Sequence, residues 1–509
     1  MTAVLIACGG GGSGTNSGTG VTGQSEIDLY DAALSAYNVA DYNLALTQFS
    51  AYITTYPNGA LITDVYYNRG KSYFNLKNYS LAQADFEYLL ANFPTSNLLD
   101  NSQYYLARCY QEQGDFVRAR TEYQVLLDNY PGSFWEDNAV FQMAKTYYDA
   151  GDYTTAISEF TAMLAAYSAS NYADDAQYYL GRSYHEQLTP DYVNARATYS
   201  SLIATYPTST LLDDAQYQIG KTYYDELNYA QAITDLQLVI TQYPQSNSAD
   251  QAQYFIGRSY HEQENVNGTL NFTVARQEYQ KVIDLYPGST WIDNAQYQIG
   301  KTYYDAQDYT TAITQFQLAI TTYGITASAS DDAQYYIGRA HHENAVLGNE
   351  TFDAARQAYT ALINTYAASS WVDNAAYQTG RTYYDNGEYA LAQLEFTATL
   401  AGYPGSSIAD NAQYYLARSI HLQGDTANPA DPLFAQARAQ YQVLLDTAAY
   451  STSIYLDNTY FYIGMTYHDE LDCVNEQAVL EAFLAAYPGS FYAADAQTHL
   501  DAIIAGTHC

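Results

Sequence analysis

The sequence predicts an all-α array of about 12 helix–turn–helix repeats followed by a C-terminal capping helix. Three observations carry that expectation. One stretch of sequence recurs from end to end, each recurrence holds two helical apolar patterns in succession, and many recurrences close on a proline turn.

The recurring stretch is Ala-Gln-Tyr-Gln-Ile-Gly-Lys-Thr-Tyr-Tyr-Asp at 215–225. A small residue marks its register at Ala33, Gly70, Ala107, Ala144, Gly181, Gly220, Gly257, Gly300, Gly338, Gly380, Ala417 and Gly464, with spacings of 37 to 47 residues, most often 37. A period of this size means stacked supersecondary units. In the Gly220 copy, Asp214 stands where a first helix (A) would start, able to cap it and to complement its dipole. Tyr217, Ile219, Gly220 and Tyr223 follow at helical spacing, and the helix is expected to end near Asn228. A second pattern (helix B) runs through Ala230, Ala232, Ile233, Leu236, Val239 and Ile240 to Tyr243 and stops at Pro244, which cannot continue a helix. The Asp-Asp and Asp-Asn pairs at 174, 213, 293, 331 and 373 read as helix starts.

Residues 26–493 therefore form one solenoid, and 494–509 a capping helix and tail. Residues 9–25, rich in Gly and Ser, have the composition of a flexible tether.

In the copy marked by Ala107 the small residue is followed by Tyr110, Ala119, Tyr123 and Pro131. The Ala144 copy repeats this with Tyr147, Ala156 and Phe160, with Ser168 in place of the proline, and the Gly220 copy with Tyr223, Ala232, Leu236 and Pro244. This pattern resembles the tetratricopeptide repeat (TPR) family, most of all the periplasmic branch found in BamD-type assembly lipoproteins and the Tol-Pal coordinator. The resemblance implies a right-handed superhelical solenoid whose helix A stripe lines a concave, protein-binding groove. Leu5-Ile6-Ala7-Cys8, ahead of Gly9 to Gly12, is similar to the end of a bacterial lipoprotein signal within 1–8, which makes Cys8 the lipidated residue, although Met1 to Ala7 carry no basic residue.

Nineteen basic residues face 55 acidic ones, a net charge of −36, so phosphate backbones and anionic membrane surfaces are repelled and nucleic acid is excluded as a partner. No stretch reaches the roughly 18 apolar residues of a membrane span. The cations are ordered: ten directly follow the register residue, and five follow the helix B alanine at Arg120, Arg196, Arg276, Arg356 and Arg438. Around the first set the helical stripe reads acid, Tyr, Lys/Arg, Tyr or His, acid. Tyr178, Arg182, His185, Tyr217, Lys221, Tyr224, Tyr254, Arg258, His261, Tyr297, Lys301 and Tyr304 are the candidate groove residues in four successive copies. Two readings stand: a ladder of ion pairs, and a partner-binding surface of tyrosines and charges. The 59 tyrosines against 17 phenylalanines exceed what packing asks for, because a polar rim suits a wet interface.

A longer rhythm is superimposed. Copies marked by residues 144, 220, 300 and 380 read Lys/Arg-Thr-Tyr-Tyr-Asp and lie 76, 80 and 80 residues apart, whereas those at 181, 257 and 338 end in His-Glu. Trp135, Trp291 and Trp371 precede only the first kind. Insertions between helices A and B of the second kind, at 187–193, 263–274, 343–354 and 423–436, are expected as loops projecting from one face. Asn78, Asn267, Asn271 and Asn349 head Asn-x-Ser/Thr triplets and are candidate glycan sites. Cys109 reads as a core filler; Cys473 and Cys509, almost one period apart, read as a disulfide pinning the C-terminal cap.

No phosphate-binding glycine loop, nucleophile elbow, Cys-x-x-Cys or His-Glu-x-x-His is present, so neither catalysis, cofactor nor metal is expected. His185, His261 and His342 each precede a glutamate, but adjacent helical residues point apart, and they read as groove contacts. The sequence thus supports a non-catalytic envelope scaffold that touches the membrane only through a lipid anchor and sits on either membrane face. The alternative is a self-assembling subunit of a surface or extracellular filament, with glycans as a further partner.

Overall fold

The computed structural model describes residues 25–268 and 272–507, so Cys8, Asn271 and Cys509 lie outside the described residues. Among those described are 25 α-helices, one short 3-10 turn at Ala448–Tyr450, and no strand. Two compact units divide between Ala215 and Gln216, inside the helix Leu212–Asp225. Within each, every helix packs on the next in sequence, and A helices also meet the A helix of the following repeat, as Ile292–Asp305 meets Ser330–Val346.

The repeat of Ile292–Asp305 and Tyr309–Tyr323 shows how local chemistry sets the pattern. Helix A ends and the chain reverses through Gln307 at φ 62, after which Asp308 caps helix B by accepting the Thr311 amide at 3.1 Å. The same left-handed residue followed by a capping side chain recurs at Ala40-Asp41, Gly114-Asp115, Gly151-Asp152 and Leu471-Asp472. Left-handed backbone costs an ordinary residue about 1–2 kcal/mol, and glycine fills only some of these turns.

Side-chain caps recur at helix B starts, and Ser25 caps the first helix A with a capping box. The helix A starts at Trp135, Trp291 and Trp371 carry no side-chain cap, which corrects at those starts the expectation that the aspartate caps helix A. There the aspartate lies inside the first turn, where it opposes the dipole. That aspartate has a second partner. Ser133 donates to Asp100 at 2.8 Å, Ser170 to Asp137 at 2.7 Å, Ser328 to Asp293 at 2.8 Å, Ser406 to Asp373 at 2.5 Å and Ser490 to Asp457 at 2.8 Å. The turn serine therefore fastens these five B-to-A turns to the preceding helix A.

The register residue sits where helices A and B of one repeat cross. A Cβ on Gly300 would come within 2.6 Å of the Phe316 ring, and one on Gly338 within 2.5 Å of Tyr359, so the crossing distance needs glycine there. The helix B alanine lies beside it, and Phe316 and Tyr359 are fully buried.

Neighbouring repeats meet through two alternating interfaces. At most junctions where a repeat of the first kind follows one of the second, the Gly220 copy with Leu211 excepted, an aromatic ring at the helix A start stacks on the preceding helix A. Trp135 lies 4.1 Å from Tyr104, Trp371 4.2 Å from Tyr335 and Tyr455 4.4 Å from Tyr414. The helix B arginine completes that interface, its guanidinium 4.2 to 4.4 Å over the ring in the pairs Arg120–Tyr147, Arg276–Tyr303 and Arg356–Tyr383. In the other interface the helix A cation covers an aromatic of the next repeat: Lys145 on Tyr179, Lys221 on Phe255 and Lys301 on Tyr336, each at 5.1 Å. This alternation is the physical content of the 80-residue rhythm.

Two insertions depart from the loop expectation. The helices Ala249–Asn267 and Ser330–Val346 run 19 and 17 residues, so part of each insertion extends helix A by about a turn. The extensions meet no glycine before Gly268 and Gly348, both at positive φ. At the C-terminus, Ala493–Ile504 forms a last helix, and Cys473 at the start of Cys473–Ala486 is disulfide-bonded. Cys109 is buried and free, and burial pushes its thiol up to about 12.

Trp371→Ala removes a stacked ring and its bond to Asp332, in which Nε1 donates at 2.6 Å. It is expected to cost about 3 kcal/mol locally. In native-state hydrogen exchange the loss should appear in Ser330–Val346 and Val372–Asp385 before it appears in Glu26–Asn38.

Candidate protein-binding face

Ridge positions of helix A place the register cation one turn before an acid, and the structure closes these pairs. Lys145 bonds Asp149 at 2.7 Å, Arg108 bonds Glu112 at 2.8 Å, and Arg258–Glu262, Arg339–Glu343 and Arg381–Asp385 each stand at 3.2 Å. Arg182–Glu186, Lys221–Asp225 and Lys301–Asp305 are paired in the same way.

In the first unit, Arg182 also lies 5.6 Å over Tyr148, Tyr178 packs half-buried on Tyr199 with ring centroids 5.9 Å apart, and His185 meets the Tyr192 ring edge-on at 5.6 Å. In the second, Lys221 sits over Tyr224 at 5.5 Å and Arg258 over the same ring at 5.7 Å. Burial pushes the Tyr224 phenol up to about 12, so it stays protonated as a hydrogen-bond donor. Lys301 lies 5.4 Å over Tyr304, which packs edge-on against Tyr309 and Tyr336, and Tyr297 is half-buried against Phe316.

Three of these groove candidates are core residues. Tyr217 is 7 %, Tyr254 3 % and His261 3 % exposed. Tyr217 packs on Phe255 and Tyr254 on Trp291, because the next helix A covers that side of the stripe. What stays accessible are the cations and acids and the rims of Tyr178, Tyr224, Tyr297 and Tyr304.

The second-kind histidines reach a carboxylate of the next repeat. Nε2 of His261 stands 2.9 Å from Asp305, that of His342 3.0 Å from Asp385 and that of His421 2.8 Å from Asp469. Sequence reading missed these partners, although each aspartate closes the first-kind word. Burial raises the Asp305 and Asp385 carboxyls, but hydrogen bonds from His261 and His342 together with Lys301 and Arg381 outweigh it and hold both below the usual range. Burial pushes His421 down against the hydrogen bond to Asp469, with the Arg418 and Arg438 charges adding to the depression.

Between Ser330–Val346 and Val372–Asp385 this stripe opens into a recess of about 520 Å³. Arg339, His342, Glu343, Gln378, Arg381 and Asp385 form its polar wall, with Phe352 and Val346 at one side. Each guanidinium is matched by its own acid, so the recess carries little net charge and offers donors and acceptors together. Such a lining suits peptide backbone and polar side chains. Asn78, Asn267 and Asn349 are exposed outside this face, at helix ends or loops.

A folded pKa depressed below the unfolded one confers stability at high pH that is lost on acidification. For His421 that loss begins as pH falls through about 6.5, and for Asp305 and Asp385 below about 4. Thermal unfolding should therefore show a lower midpoint at pH 5.5 than at 7.5, and His421→Gln should shrink that difference.

A family model described as outer membrane lipoprotein matches residues 23–111, 188–269 and 340–505. Tetratricopeptide repeat models match 101–133, 141–210 and 297–370. No curated protein matches the chain. Among solved structures, a tetratricopeptide repeat protein from Parabacteroides merdae is 17 % identical with a TM-score of 0.38, covering 54 % of this chain and 98 % of its own. The C-terminal part of a TPR repeat-containing protein from Cytophaga hutchinsonii is 15 % identical with a TM-score of 0.42, over 52 % and 98 %. Yeast Tom70 is 11 % identical with a TM-score of 0.36, over 94 % and 96 %.

Proposed function

Since the chain belongs to the outer membrane lipoprotein family and is built from tetratricopeptide repeats, we propose that it is a non-catalytic scaffold of the bacterial cell envelope that holds a protein partner along its helix A stripe. The observation that carries this reading is the recess of about 520 Å³ between Arg339 and Arg381, polar, charge-balanced and on the stripe that repeats along the chain. An extended peptide can exchange hydrogen bonds with Gln378 and the two ion pairs while an apolar side chain reaches Phe352. No helix among the described residues is long and apolar enough to cross a membrane. In this reading the membrane attachment is a lipid on Cys8, which follows Leu5-Ile6-Ala7 and precedes the Gly- and Ser-rich sequence 9–25.

Two measurements test the two halves of the reading. A photo-crosslinking residue in place of Gln378 should trap a discrete protein adduct in cells, and Arg339→Ala with Arg381→Ala should remove it while the helical circular dichroism stays unchanged. Adducts that contain only a second copy of the chain would point to self-association instead. Metabolic labelling with a fatty-acid analogue should mark the wild type and leave Cys8→Ser unlabelled.

A further inference from the structure

The helix B alanine that follows the register residue is occupied by Ala45, Ala82, Ala119, Ala156, Ala195, Ala232, Ala275, Ala312, Ala355, Ala392 and Ala437, each 0 % exposed. In the last repeat the same position is Glu476, also 0 % exposed. A carboxylate in a site shaped for a methyl group is unfavourable unless positive charge or hydrogen-bond donors meet it there.

Two imidazoles do meet it. Nδ1 of His468, from the end of Leu456–Asp469, stands 3.0 Å from Glu476 Oε1, and Nδ1 of His499, from Ala493–Ile504, stands 3.2 Å from the same oxygen. The three ligand atoms all lie within 4.8 Å of one another, and the imidazole planes are 85° apart. Donors bound to one Zn²⁺ at about 2.0–2.2 Å stand roughly 3.0 to 3.5 Å from each other. His499 is a second departure from the repeat, since that place carries Gln142, Gln218, Gln298 and Gln378 in the first-kind copies and Tyr179, Phe255, Tyr336 and Tyr415 in the alternate ones, with a histidine in neither set. The histidine side chains are 30 % and 27 % exposed, which leaves an entry path while the carboxylate stays dry.

We propose that His468, Glu476 and His499 form a divalent transition-metal site, for Zn²⁺ or an ion of similar softness, that clips the last three helices together. Two imidazoles with one carboxylate suit such an ion better than Ca²⁺ or Mg²⁺, which take oxygen shells. Three protein ligands leave at least one position for water. The location gives the clip a purpose: a terminal repeat has a neighbour on one side only and opens first in an array. The ion would act beside the disulfide of Cys473, three residues from Glu476.

The test uses the full chain with its disulfide intact, stripped with a chelator, desalted and titrated with ZnCl₂ against a chromophoric zinc indicator. One equivalent should bind and raise the thermal midpoint of the wild type. Glu476→Ala restores the residue of the other eleven repeats and His499→Gln restores the amide of the first-kind copies, so both variants keep a side chain the fold already accepts. Each should weaken binding by at least about tenfold and lose the zinc-dependent midpoint shift. Failure of the stripped wild type to take up a stoichiometric ion would overturn the proposal and leave only a hydrogen-bonded carboxylate. Binding that survives in both variants would overturn it equally, by placing the ion elsewhere.

Discussion

Everything in each unit depends on how closely helices A and B cross at the register residue. With Phe316 2.6 Å from where a Gly300 Cβ would sit, the helices cannot slide along or rotate about one another without a clash. That single contact fixes the rotation of helix A. Positions one, four and five residues further on then face the same direction in every repeat, which is why a cation, a ring or imidazole and an acid recur together.

From that fixed rotation the alternation follows. The first-kind repeat of Gly380 offers Trp371 at its helix A start and Asp385 at its end, and the preceding second-kind repeat meets them with Tyr335 and His342. In the opposite junction Lys301 covers Tyr336 and its carboxylate partner stays within its own helix. Two junction chemistries make register slippage by one repeat costly, because it would set histidine against lysine and leave tryptophan without its stacking partner.

The helices were legible in the sequence because glycine, alanine and proline recur at a fixed period, and a period survives any uncertainty over single residues. The helix Tyr229–Gln242 ends one residue before the tyrosine that precedes Pro244. Burial within the stripe was less legible. Tyr217 and Tyr224 sit seven residues apart on one helical face, yet only the path of the next helix A decides that the former is covered. The insertions misled for a related reason, since Gln263 to Asn267 carry no helix breaker and simply continue the preceding helix. Glu476 was visible as an exception at an alanine position, but its meaning required knowing that residues 468 and 499, in different helices, converge on it.

The internally closed ion pairs also divide the electrostatics of association into two parts. The chain carries 55 acidic and 19 basic residues, and the cations of the stripe are already matched one turn away. The excess negative charge therefore belongs to the surroundings of the recess and not to its wall. A basic partner would be drawn in by the far field, so its arrival would slow as salt is added. Its departure would be governed by contacts with a locally neutral surface, which ionic strength scarcely touches. Speed of capture and duration of residence would then answer to different parts of the same molecule.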